Sequence, residues 1–118
     1  MAAEENGSPA TTALDNFKCY KASRATPRFQ RQFVQLTDDF ESRQTQVRRP
    51  ESICNAVAVD AGTVLDPTKH LVCYKIRNTA GQPAHARQNV SYATPFGSAT
   101  ATTVKPSLLC VPARVEVP

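Results

Sequence analysis

Along most of this chain, polar and apolar residues alternate with the two-residue period of a β-strand. In Phe33-Val34-Gln35-Leu36 and Asn89-Val90-Ser91-Tyr92, the pairs Val34/Leu36 and Val90/Tyr92 fall on one face. Ser98-Ala99-Thr100-Ala101-Thr102-Thr103-Val104 is small and β-branched, too poor in large apolar side chains for a stable helix. The stretches Ile53 to Val59 and Leu108 to Val117 are the most apolar, and the second ends on the alternation Val115-Glu116-Val117. Helical period is weak. Its best candidate, Asp38 to Val47, is polar nearly all round and runs into Arg48-Arg49-Pro50, so it reads as a turn followed by a strand. The pattern predicts an all-β protein.

The same pattern is written twice. Asn16-Phe17-Lys18-Cys19-Tyr20-Lys21 returns as His70-Leu71-Val72-Cys73-Tyr74-Lys75, and Pro50-Glu51-Ser52-Ile53-Cys54 returns as Pro106-Ser107-Leu108-Leu109-Cys110. Between them, Pro27, Arg31, Gln32, Val34 and Phe40 reappear as Pro83, Arg87, Gln88, Val90 and Phe96. The offset is 54 at Cys19 and Cys73 and becomes 56 at Cys54 and Cys110, so the second copy carries two extra residues before Pro83. Register kept over four separated blocks reads as an internal duplication.

Each copy predicts four strands: one around Cys-Tyr-Lys, one ending before Phe40 or Phe96, one before Pro50 or Pro106, and one through the second cysteine. The copies run over 14–64 and 65–117, joined through Asp60-Ala61-Gly62-Thr63 and Leu65-Asp66-Pro67-Thr68. About fifty residues is near the lower limit for folding alone. The halves are therefore expected to share one core as a single domain, related by an approximate two-fold and closed into a compact barrel or sandwich, with Val34, Val90, Phe40 and Phe96 inside.

Composition adds detail. The 118 residues include nine prolines, four glycines and no tryptophan, which suits short elements joined by stiff turns. A net charge of +4 with interleaved acids reads as a mixed, solvated surface, with a polyanion-binding face as the alternative. Residues 1–13 are small, polar and acidic, with neither the basic start nor the apolar run of a secretory signal. They are expected to form a disordered leader. No stretch is long and apolar enough for a helical membrane span.

Four cysteines allow three pairings. Equivalent positions should be bridged equivalently, which favours Cys19–Cys54 and Cys73–Cys110. A Cys54–Cys73 bridge, a zinc site and buried free thiols are the competing readings. Zinc sites draw on close cysteine pairs, and this chain has none, so no metal is expected. Disulfides imply an oxidising compartment. With no signal segment at its start, the chain is expected to be a mature or excised portion, or to use another export route.

These blocks resemble a paired repeat of bacterial secreted or cell-surface proteins of unknown function, with conspicuous H-L-x-C-Y-K and K-P-x-L-L-C-V-P motifs. The resemblance runs from about Leu14 to Val117. It is closest at His70-Leu71-Val72-Cys73-Tyr74-Lys75 and at Lys105-Pro106-Ser107-Leu108-Leu109-Cys110-Val111-Pro112. The first copy departs at Ser52 and at Asn55-Ala56. The resemblance implies an exported β-rich module, often part of a longer protein, and carries no catalytic residue over.

Candidate chemistry is sparse. His70 and His85 are the only histidines, and both read as solvent-facing. Asp38, Asp39 and Glu41 read as a solvated turn, since the matching Ala93-Thr94-Pro95-Phe96-Gly97 is not acidic. Arg24, Arg28, Arg31, Arg48, Arg49, Arg77, Arg87 and Lys105 could form a basic stripe, but without interleaved aromatics a nucleic-acid partner is not expected. The positions kept in both copies are Tyr20 with Lys21 and Tyr74 with Lys75, which are the candidate binding residues. The expected function is a non-enzymatic, secreted structural, adhesive or protein-interaction module that needs no cofactor. Its partner would be a surface protein, a glycan or another copy of itself. The alternative is a small-ligand or carbohydrate-binding domain with a cleft where the halves meet.

Overall fold

A computed structural model describes residues 14–23, 25–60 and 62–116; the expected leader over 1–13, Arg24 and Val117 lie outside the described residues. Seven strands follow in order: β1 (Asn16–Lys21), β2 (Gln32–Thr37), β3 (Ser42–Val57), β4 (His70–Asn78), β5 (Asn89–Thr94), β6 (Gly97–Thr102) and β7 (Leu108–Ala113). Among the described residues there is no helix, as the alternation predicts. β1, β3, β4 and β7 lie side by side in that order, all antiparallel, and β2 joins the same edge of β3 beyond β1. Among the described residues, β5 and β6 pair only with each other.

The first half has three strands where four were expected. Its last two fuse into the sixteen-residue β3, which runs straight through Pro50. Proline cannot donate to a ladder and is tolerated in a sheet only at edges and bulges. Pro50 meets that condition on both sides. The β2 partners end at Val47 and the β1 partners begin at Ser52, while toward β4 the register shifts between Val47 and Arg49 and again between Pro50 and Ser52. In the second half, Pro106 lies in a true break between β6 and β7.

The expected bridges are present. Cys19 stands directly opposite Cys54 and is bonded to it, and Cys73 is opposite and bonded to Cys110. No described cysteine is free. The two bridges lie against each other across β3 and β4, with Cys54 Sγ 3.6 Å from Cys73 Sγ. They form the centre of a small core, in which Val47 and Ile76 are the other buried apolar side chains.

Three expectations are corrected. The sheet is open and not a barrel. β1 and β7 are its opposite margins, so closure would need a β1–β7 ladder that the strand order excludes. It is not a sandwich either: among the described residues the second sheet is the two-stranded β5–β6 ribbon, and β6 is exposed at every position. The molecule is accordingly flat, 43 × 42 × 18 Å. The two bridged strand pairs are also not related by a two-fold. β4 runs in the direction of β1 and β7 in that of β3, so the second pair follows the first by a shift across the sheet. Finally, Phe40 and Phe96 are not core residues. They sit in the β2–β3 and β5–β6 turns, beyond the ladders, and are 49% and 87% exposed. Val34 and Val90 are only half-buried.

Side-chain caps set the turns. Asp38 Oδ1 accepts the N–H groups of Phe40 (2.9 Å) and Glu41 (3.0 Å), closing the β2–β3 hairpin. Asp15 accepts from the N–H groups of Leu65 (2.6 Å) and Asp66 (2.9 Å), tying the connector between the halves to β1. Asp66 in turn accepts the Thr68 hydroxyl and N–H, and these bonds hold its carboxyl below the usual carboxylate range. A depressed native pKa contributes stability above the unfolded value, and that contribution is lost as pH falls through the folded value. Because Asp66 is only half-buried, solvent screening keeps the contribution small. Replacing Thr68 by alanine should raise the Asp66 pKa toward the ordinary value, as read by NMR titration of its carboxyl.

Candidate functional site: a basic basin where the halves meet

The two register shifts between β3 and β4 shape the surface of the sheet. A bulge leaves one residue without a cross-strand partner and turns its side chain away from the regular alternation. Here the unpartnered residues toward β4 are Arg48 and Glu51, and both line an open basin of about 980 Å³. Arg49 lines it too, directly opposite Lys75 in the β3–β4 ladder, with Arg77 two residues further along β4. Lys21 enters from the end of β1, Arg28 and Arg31 from the β1–β2 connector, and Lys105 from the β6–β7 connector. Eight cationic side chains therefore converge around one carboxylate, Glu51. They come from both halves of the sequence, so the basin lies at their junction.

Crowding so many like charges is unfavourable and has no packing rationale, since the basin is open and most of these side chains are exposed. A shared concavity lined by one sign of charge concentrates counter-ions of the other sign. The basin also has an apolar wall. Phe29 lines it and packs on Tyr74, with ring centroids 5.2 Å apart and planes tilted by 45°. Arginine forks and a ring face together suit a ligand bearing carboxylate or sulfate groups on a flat, partly apolar body.

The four candidate binding residues divide. Lys21 and Lys75 line the basin, and Tyr74 backs it through Phe29. Tyr20 does not line it. It is 48% exposed, with Lys18 Nζ 4.9 Å from its ring centre. Of the basic stripe read from sequence, Arg28, Arg31, Arg48, Arg49, Arg77 and Lys105 do come together, while Arg87 stands apart. The bulges that gather them leave no mark in the hydrophobic alternation.

The histidines differ from expectation. His70 is half-buried and its Nδ1 pairs with Asn55 Oδ1 at 2.9 Å, directly across the β3–β4 ladder. The His85 side chain is only 6% exposed, not solvated. Its Nδ1 lies 2.5 Å from Glu41 Oε1 and its Nε2 lies 2.7 Å from Thr103 Oγ1. Glu41 is held from its other oxygen by Arg43 Nε at 3.0 Å, and Arg43 Nη1 donates to the Pro83 carbonyl. Thr103 Oγ1 also accepts the Gln88 N–H at 2.9 Å. The order acid, imidazole, hydroxyl is that of a base-activated nucleophile. Here the same atoms also clasp three distant segments: the β2–β3 turn, the loop before β5 and the β6–β7 connector. Sequence spacing could not reveal this, because Glu41 and His85 are 44 residues apart.

Cutting the clasp leaves a half-buried carboxylate and a hydroxyl each short of a partner, a loss of about 1–3 kcal/mol. His85→Ala should therefore lower the denaturation midpoint by that equivalent. His70→Ala, which removes one half-buried contact, should change it far less.

The two disulfides are consistent with an extracellular or otherwise oxidising environment. No helix among the described residues is long and apolar enough to cross a membrane. No protein-family model, curated protein or solved structure matches this chain.

Proposed function

We propose that this protein is a non-enzymatic binding module, acting outside the reducing cytoplasm, that takes an acidic glycan in the basic basin between its halves. One observation carries the reading: eight cationic side chains from five segments line a single concavity with one opposing carboxylate. Membership of the secreted paired-repeat family belongs to the same proposal. A sulfated or uronate-rich chain fits the basin better than a compact anion, since about 980 Å³ exceeds what one phosphate fills and Phe29 offers a sugar ring an apolar face. The disulfides favour a glycan over nucleic acid as the polyanion such a protein meets.

The test is a calorimetric titration with dextran sulfate, with neutral dextran of equal length and with single-stranded DNA. Dextran sulfate should bind and weaken steeply with added salt, and neutral dextran should not bind. Silence toward every anion at low salt would end the proposal. A clear preference for DNA over dextran sulfate at matched charge would replace the glycan. Hydrolysis of an activated ester that disappeared in Thr103→Val would replace the non-enzymatic reading through the His85 clasp.

A further inference from the structure

The sheet ends on two edges that differ from each other. Among the described residues, β1 is bonded only to β3 and β7 only to β4. In an antiparallel ladder, alternate residues turn both their N–H and C=O toward the same neighbour. The Ala22 N–H donates to Glu51 (2.8 Å), so the even-numbered residues of β1 face β3, leaving Phe17, Cys19 and Lys21 directed outward. The Ile76 N–H donates to Ser107 (3.2 Å), so Leu109, Val111 and Ala113 face β4, leaving Leu108 and Cys110 directed outward.

The β3–β4 junction inside the molecule shows how two such edges fit. There Cys54 lies opposite Leu71, Ser52 opposite Cys73 and Pro50 opposite Tyr74. The sequence counterparts of Ser52 and Cys54 are Leu108 and Cys110, both on the free edge of β7. The counterparts of Leu71 and Cys73 are Phe17 and Cys19, both on the free edge of β1. We propose that β7 of one molecule pairs with β1 of a second copy of this chain, continuing the sheet head to tail. The register is set by the internal junction: Cys110 against Phe17 of the second copy and Leu108 against its Cys19.

That register also covers surface the single molecule leaves open. It brings Tyr20 of the second copy, 48% exposed, against Pro106, as Tyr74 meets Pro50, and it buries Leu108, which is 43% exposed. Pro112 has no N–H and ends the new ladder on one side. Lys105 faces Lys21 of the second copy on the other, as Arg49 faces Lys75, so salt strengthens the contact by screening that pair. The two edges are different surfaces, so the contact is heterologous and repeats without closing on itself.

The test uses the intact oxidised protein at high salt. Its weight-average mass should rise with concentration to about twofold or more above the 12.9 kDa monomer. Amide exchange at Phe17, Cys19, Leu108 and Cys110 should slow as concentration rises, while β5 and β6 stay unchanged. Phe17→Pro blocks the β1 edge and Leu108→Pro the β7 edge. Each alone should stay monomeric, and an equimolar mixture should form dimers and nothing larger. Loss of both disulfides or of the far-ultraviolet spectrum would mark a misfolded variant, and the wild-type exchange measurement then decides. A wild-type protein monomeric at every concentration would overturn the proposal, as would a Phe17→Pro variant that dimerises by itself.

Discussion

Reduction of both disulfides should abolish the cooperative thermal transition at room temperature. The bridges close separations of 35 and 37 residues, and loop-closure entropy assigns each about 4 kcal/mol. Together that approaches the whole stability of a small domain, about 5–15 kcal/mol. Little else could hold the fold. Among the described residues, the buried apolar side chains are Val47, Ile76 and the two inner cysteines themselves, and no second sheet covers the first. Each bridge should also matter by itself, since Cys19–Cys54 staples β1 to β3 and Cys73–Cys110 staples β4 to β7. A protein shown by mass to be fully reduced, yet melting within a few degrees of the oxidised form, would refute this assignment of stability.

The second large effect is expected at the basin. Replacing Arg48 and Arg49 together by glutamate changes the local charge by four units at the centre of the cationic wall. Dextran sulfate affinity should fall by more than about tenfold, or about 1.4 kcal/mol, and its salt dependence should flatten. The same reversal at Arg87 and Arg114, outside the basin, should leave affinity nearly unchanged. Arg114 is nearly fully exposed and its nearest acid, Glu116, is 3.8 Å away, so its reversal tests net charge without touching the site. Equal losses in both double variants would show that net charge, not the basin, recruits the ligand.

The two kinds of information in the chain differed in how far they reached. Strand period and the repeated Cys-Tyr-Lys blocks were enough for the all-β class and for both disulfides, because equivalent cysteines end up on equivalent neighbouring strands. They were not enough for closure. A duplication is compatible with a rotation or with a shift, and only the placement of β4 beside β3 decides between them. Pro50 suggested a strand break, but two bulges let β3 pass through it, and those same bulges gather Arg48 and Glu51 into the basin. Phe40 and Phe96 had the composition of core residues and the position of turn residues, and position prevailed. His85 looked solvated because its acid and its hydroxyl partner are remote in sequence.

Amide NMR mapping during a dextran sulfate titration decides whether an acidic glycan is held where the two halves meet. Saturable shifts are expected only at Lys21, Arg28 to Arg31, Arg48 to Glu51, Lys75 to Arg77 and Lys105, with β5 and β6 silent. Shifts spread evenly over the exposed lysines and arginines, or centred on the β5–β6 ribbon, would contradict binding there.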